Sequence, residues 1–139
     1  MRTMSVVVLL TLLTACRTHS PRPVDIEPAD MCGYCRMAIS QRQFAAEVLD
    51  ADENAVKFDD IGCMLRYLAN GERKPAAVFV TDYANRQWLD AKAAVFVRGS
   101  KAATPMGGGI LAFSDRARAE AATREFGGSV VAFEQLAKP

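Results

Sequence analysis

The residue pattern predicts an α+β fold made of two similar ββα(β) units with a mainly antiparallel sheet. Three observations carry this. Strand-like runs come in groups before each helical run, without the regular strand–helix–strand alternation of a parallel sheet. Each helical run follows a strand ending in phenylalanine and a capping residue, Phe58-Asp59-Asp60 in one half and Phe113-Ser114-Asp115 in the other. Each helix then stops at glycine, at Gly71 and at Gly127-Gly128.

In chain order, Met37 and Ile39 alternate with small or polar residues, and Phe44, Ala46 and Val48 do so again after Ser40-Gln41-Arg42-Gln43. That alternation predicts a β-hairpin. Asp50-Ala51-Asp52-Glu53-Asn54 is a turn, and residues 55–58 read as a strand. Asp59 is the expected N-cap of a helix whose Ile61, Met64, Leu65 and Leu68 fall on one face. The second half supplies strands at 76–80, 87–89, 93–97 and 110–113. A helix capped by Ser114 and running to Phe126 follows, and a last strand spans 129–133.

Ahead of this lie two segments of another kind. Met1-Arg2, the apolar run 6–13 and Leu13-Thr14-Ala15-Cys16 have the build of a signal segment. The run is far short of the roughly 20 apolar residues that span a membrane. Leu13-Thr14-Ala15-Cys16 resembles the bacterial lipobox, which makes Cys16 the expected lipidation site. Residues 1–15 are then a lipoprotein signal peptide, 16–30 a lipidated flexible tether rich in proline and charge, and 31–139 a single domain. The expected location is the periplasmic face of a bacterial membrane; Arg17 after Cys16 points to the outer one.

The full chain has 139 residues, half of them hydrophobic, and a net charge of +1. No basic surface for nucleic acid is predicted. The single histidine, His19, sits in the tether, so no Cys/His or Ser/His/Asp dyad can form in the domain, and a binding protein rather than an enzyme is expected.

Sulfur is where the sequence concentrates its chemistry. Met31-Cys32-Gly33-Tyr34-Cys35-Arg36-Met37 carries four sulfur atoms in seven residues, Cys63-Met64 adds two, and Thr104-Pro105-Met106-Gly107-Gly108-Gly109 places a methionine on a glycine loop. With residues 35–39 as a strand, Cys35 and Met37 share a face. Soft thiolate and thioether donors select Cu(I) over Zn(II). No Lys-Ser/Thr follows the glycines, which excludes a phosphate-binding P-loop. The candidate ligands are Cys35, Met37 and Met106, with Cys32 or Cys63 accessory. Met64 fits the helix's apolar stripe and reads as core, and the carboxylates of Asp59 and Asp60 read as helix caps. Cys63 is equally compatible with a small buried residue and a ligand. Cys32-Gly33-Tyr34-Cys35 alone suits a redox pair, half a zinc site or a disulfide; the redox reading is a membrane-anchored thiol-disulfide oxidoreductase.

The lipobox cysteine, Cys-x-x-Cys-x-Met-x-Ile, Lys57-Phe58-Asp59-Asp60 with Cys63-Met64, Phe79-Val80-Thr81-Asp82-Tyr83, Trp88-Leu89-Asp90-Ala91 and Pro105-Met106-Gly107-Gly108-Gly109 together resemble the NosL family. The resemblance implies a monomeric copper lipoprotein with two topologically similar halves. It implies delivery of Cu(I) to apo nitrous oxide reductase or its assembly complex. Cys35 and Met37 match the family's Cys-x-Met, Met106 its glycine-loop methionine, and Cys32 the first cysteine of its double-cysteine versions. Any non-sulfur ligand here cannot be imidazole from the domain.

Overall fold

The computed structural model describes residues 20–71 and 74–136. The expected signal peptide, Cys16 and His19 lie outside the described residues. A 3-10 turn at Arg42–Phe44 leads into β1 (Ala46–Leu49), β2 (Ala55–Phe58), α1 (Ile61–Asn70), β3 (Ala77–Thr81) and β4 (Trp88–Asp90). Then come β5 (Val95–Arg98), β6 (Leu111–Phe113), α2 (Arg116–Phe126), β7 (Ser129–Val131) and the short α3 (Phe133–Leu136).

The expected duplication is present. The first sheet has the order β2-β1-β3-β4 and the second β6-β5-β7. In both units the first strand is central and pairs antiparallel with the strand after it and with the strand after the helix. The register aligns the halves residue by residue: Ala46 faces Phe58 as Val95 faces Phe113. Glu47 therefore occupies the place of Phe96, and Lys57 that of Ala112.

Each helix is held at both ends. Asp60 caps α1 by accepting from the Gly62 N–H, and the Gly71 N–H closes it on the Leu68 carbonyl. In α2, Asp115 accepts from the Arg118 N–H, and Gly127, at φ 72°, bonds Thr123. Both caps thus fall one residue later than the sequence pattern suggested, and Asp59 and Ser114 are released from capping. The helix α1 buries Ile61, Cys63 and Met64, so Met64 is core as expected. Only Ala119 and Ala122 are buried on α2; small side chains let it lie close on its sheet.

Two clusters fill the interior. The larger joins Ile26, Cys32, Phe58, Ile61, Met64, Val80 and Phe96; the smaller joins Phe44, Val97, Leu111, Phe113, Ala119 and Ala122. Tyr83 packs on the smaller one, with ring centroids 5.7 Å from Phe44, 5.8 Å from Phe113 and 6.0 Å from Phe126.

Three expectations differ from what the structure shows. Residues 35–39 are not a strand; only an isolated bridge, Met31 to Ala38, forms there. Met37 is 57% exposed and Ile39 6%, so residues two apart do not share a face. The chain instead turns back on itself at Arg36, which has a φ of 65°. The last strand ends at Val131, where α3 begins soon after. Residues 24–30, expected in the tether, are held on the first sheet. The Val24 N–H donates to Glu47, Lys57 pairs with Asp30 at 2.6 Å, and Ile26 is buried.

Candidate metal centre

Residues 32–37 form a tight loop closed by backbone bonds. The Cys32 N–H donates to the Met37 carbonyl at 2.8 Å and the Arg36 N–H to the Cys32 carbonyl at 3.1 Å. The Gly33 N–H donates to the Lys57 carbonyl at 2.8 Å, which docks the loop on β2. Glycine is needed there, because a Cβ would stand 2.3 Å from Val56 Cγ1. Both cysteine side chains are thereby brought to the end of β2, where Asp59 follows Phe58 and the first turn of α1 carries Cys63.

The result is a compact donor set. The Sγ atoms of Cys32, Cys35 and Cys63 and a carboxylate oxygen of Asp59 all lie within 4.8 Å of one another. The three cysteines are free. Cys32 and Cys63 are fully buried, Asp59 is nearly so, and Cys35 is half-buried at the outer edge. The Cys35 thiol donates to Asp59 Oδ1 at 3.4 Å.

Burial sets the electrostatics. It pushes the Cys35 thiol up, assisted by Cys32 and Asp59, while the Met37 backbone N–H pulls it partly back. Cys63 is pushed up strongly by burial and then by the charges that Cys32, Cys35 and Asp59 would carry. Those two thiols therefore hold their protons more tightly than a free cysteine does. A cation binding there reverses that balance and displaces protons from sulfur.

The glycine loop reaches the same helix end from the second unit. The Met106 N–H donates to Asp60 Oδ2 at 3.1 Å, while Asp60 Oδ1 accepts from Gly62 at 2.6 Å. A Cβ on Gly62 would stand 2.8 Å and one on Gly108 3.1 Å from Asp60 Oδ1, so the two glycines leave room for that carboxylate between helix and loop. Met37 and Met106 side chains stand exposed on these two loops, as does Met31 beside them.

Three of the five sequence candidates, Cys32, Cys35 and Cys63, thus share one cluster. Met37 and Met106 sit on the loops attached to it by their backbones. Sequence reasoning missed Asp59 by assigning it to capping. The doublet Asp59-Asp60 held the signal, since one helix end uses one cap and leaves the other carboxylate for something else.

The family model that matches this sequence is NosL, over residues 23–139. The chain belongs to the NosL family. The fold is also that of a solved structure described as the copper chaperone NosL from Shewanella denitrificans. The TM-score is 0.77 at 24% identity, covering 84% of this chain and 96% of that one. No curated protein matches the sequence.

Proposed function

We propose that this NosL-family chain is a copper chaperone that binds Cu(I) and hands it on. The observation that carries the reading is the convergence of three thiols on one point beside two methionine-bearing loops. Such donors suit a soft monovalent ion. Cys35, at the cluster's outer edge, is the primary ligand; Cys32 and Cys63 complete a thiolate set, and Met37 and Met106 supply thioethers that let the ion leave by ligand exchange. The solved relative's description as a copper chaperone supports the same reading.

The finer assignments belong to the same proposal. The chain is anchored by lipid on Cys16 at the periplasmic face of the outer membrane, acts as a monomer, and serves apo nitrous oxide reductase or its assembly complex. It is a carrier and not an enzyme. The Cys32-Cys35 pair suits an oxidoreductase poorly, because it lies in a turn docked on a strand and burial raises the Cys35 thiol, where a redox nucleophile needs a lowered one.

The test is an anaerobic titration with Cu(I) against a chromogenic chelator, repeated on Met37→Leu and Met106→Leu. One tightly held ion per chain, weakened about tenfold in each variant, is the expected result. An absence of competition sinks the carrier reading; binding indifferent to both substitutions removes the thioethers from it.

A further inference from the structure

Two features of the cluster exceed what a Cu(I) carrier needs. One is its hard donor: Asp59 is a buried carboxylate that does not cap the helix and accepts a hydrogen bond from the Cys35 thiol. Soft Cu(I) gains little from carboxylate oxygen, whereas Cu(II) is served by oxygen and nitrogen donors. The other is the odd number of thiols. Their Sγ atoms all lie within 4.8 Å of one another. Of the three, only Cys35 approaches the surface.

We infer that the cluster also reduces its own cargo, once per chain and without turnover: it takes Cu(II) at Asp59 and Cys35, and the Cys32 and Cys63 thiols reduce it. Two thiols and two Cu(II) ions give one Cys32–Cys63 disulfide, two Cu(I) ions and two protons. Both S–H bonds break and one S–S bond forms, each metal ion gains one electron, and these protons, with the one Cys35 gives up on binding the ion, leave by way of the Asp59 carboxylate. One Cu(I) stays on Cys35, and the second departs to another acceptor. Sulfurs that start within 4.8 Å of one another are within what side-chain rotation closes.

The choice of pair follows from burial. Joining Cys32 to Cys63 spends the two enclosed thiols and leaves the outermost one as a ligand. Joining Cys32 to Cys35 would leave Cys63 fully enclosed behind a disulfide, with no ligand at the surface. The odd count is then functional: two sulfurs hold electrons and the third holds the ion. The inference rests on the carrier reading for what becomes of the Cu(I), and its test separates the two.

The reduced full chain is mixed anaerobically with two equivalents of Cu(II) sulfate, and the Cu(II) paramagnetic signal is followed. Expected are loss of the signal at least about tenfold faster than with a simple monothiol at equal thiol concentration, one remaining thiol among Cys32, Cys35 and Cys63 on denaturation, and a cross-linked peptide pair joining Cys32 to Cys63. Cys63→Ser should bring the rate down to the monothiol's. Asp59→Asn keeps all three thiols, so it serves even where a cysteine variant fails to fold; it should slow the loss by roughly tenfold, about 1.4 kcal/mol of barrier. A persisting signal, a Cys32–Cys35 pair, or an unchanged rate in either variant overturns the inference. Cu(I) supplied directly still binds in that event, so the carrier reading fails only in its own titration.

Discussion

The loop that carries the cysteines has a twin. Residues 82–87 repeat the backbone bonds of residues 32–37: the Asp82 N–H donates to the Gln87 carbonyl at 2.8 Å, and the Arg86 N–H to the Asp82 carbonyl at 2.8 Å. Arg86, at φ 61°, takes the left-handed turn that Arg36 takes. The Tyr83 N–H donates to Ala112, which stands where Lys57 stands under Gly33. Only the side chains differ. In place of Cys32 there is Asp82, whose carboxylate accepts from Ala84 at 2.8 Å, Asn85 at 3.2 Å and Ser114 at 2.8 Å. In place of Cys35, Asp59 and Cys63 there are Asn85, Ser114 and Arg118.

One scaffold thus does two jobs. In the second unit the loop is tied by a carboxylate that supplies its own negative charge, and burial of Asp82 is outweighed by these hydrogen bonds, which hold it below its ordinary value. In the first unit Cys32 occupies the same place, and a sulfur holds less than a carboxylate. The comparison teaches that the sulfur cluster gives up a structural knot in order to keep its donors free for an ion.

That contrast can be broken at either end. The largest effect is expected for Cys35→Ser, which should lower Cu(I) affinity by about 1000-fold or more in chelator competition, roughly 4 kcal/mol, with little change in melting temperature. The mirror experiment is Asp82→Ala, which strands three N–H groups. It should cost roughly 2–4 kcal/mol in urea unfolding and leave Cu(I) stoichiometry at one per chain. Equal stability losses from the two substitutions would erase the distinction between the loops.

Asp60→Ala sharpens the picture where the units meet. It removes the α1 cap and releases Met106, and should cost about 1–2 kcal/mol of stability together with roughly tenfold in Cu(I) affinity. A stability loss without any affinity change would show that the glycine loop serves packing alone.

The smallest effect concerns Glu47, buried where the second unit has Phe96, with Oε2 lacking a hydrogen bond. Burial raises its carboxyl above the ordinary value. The folded state therefore holds the proton more tightly than the unfolded one. The associated stability is complete below the unfolded value and declines as pH rises through the folded one. Glu47→Gln cannot ionise, so its stability relative to the parent should rise between acid and neutral pH, by no more than about 1 kcal/mol. Melting curves across that range would check it; parallel curves for the two proteins would contradict it.

Much of the architecture was legible because its signals are local. Phe58 and Phe113 close strands, acidic residues follow them, and glycines end the helices. The loop repeat was not legible, since Cys-Gly-Tyr-Cys-Arg-Met and Asp-Tyr-Ala-Asn-Arg-Gln share one residue; backbone bonds hold the shape and tolerate almost any side chain. For the same reason Met37 and Ile39 imitated a strand. Their alternation is real in sequence, but Arg36 breaks the extended backbone between Cys35 and Met37. Cys63 was undecided because helical spacing places it beside the apolar stripe, and its inward direction comes from the loop packed over it. Asp59 escaped because either carboxylate of the doublet could have capped the helix.

The bond from Met106 to Asp60 also imposes an order in time. A ribosome delivers all three cysteines and the whole of α1 before the glycine loop has been made. The thiol end of a nascent chain is therefore assembled while the helix turn beneath it still lacks its cover. Chains arrested just before Thr104 should label faster at Cys35 with a bulky maleimide than completed ones, and equal labelling would deny the loop that protective role. The bond between Met106 and Asp60 can therefore close only after the thiols and α1 are already made.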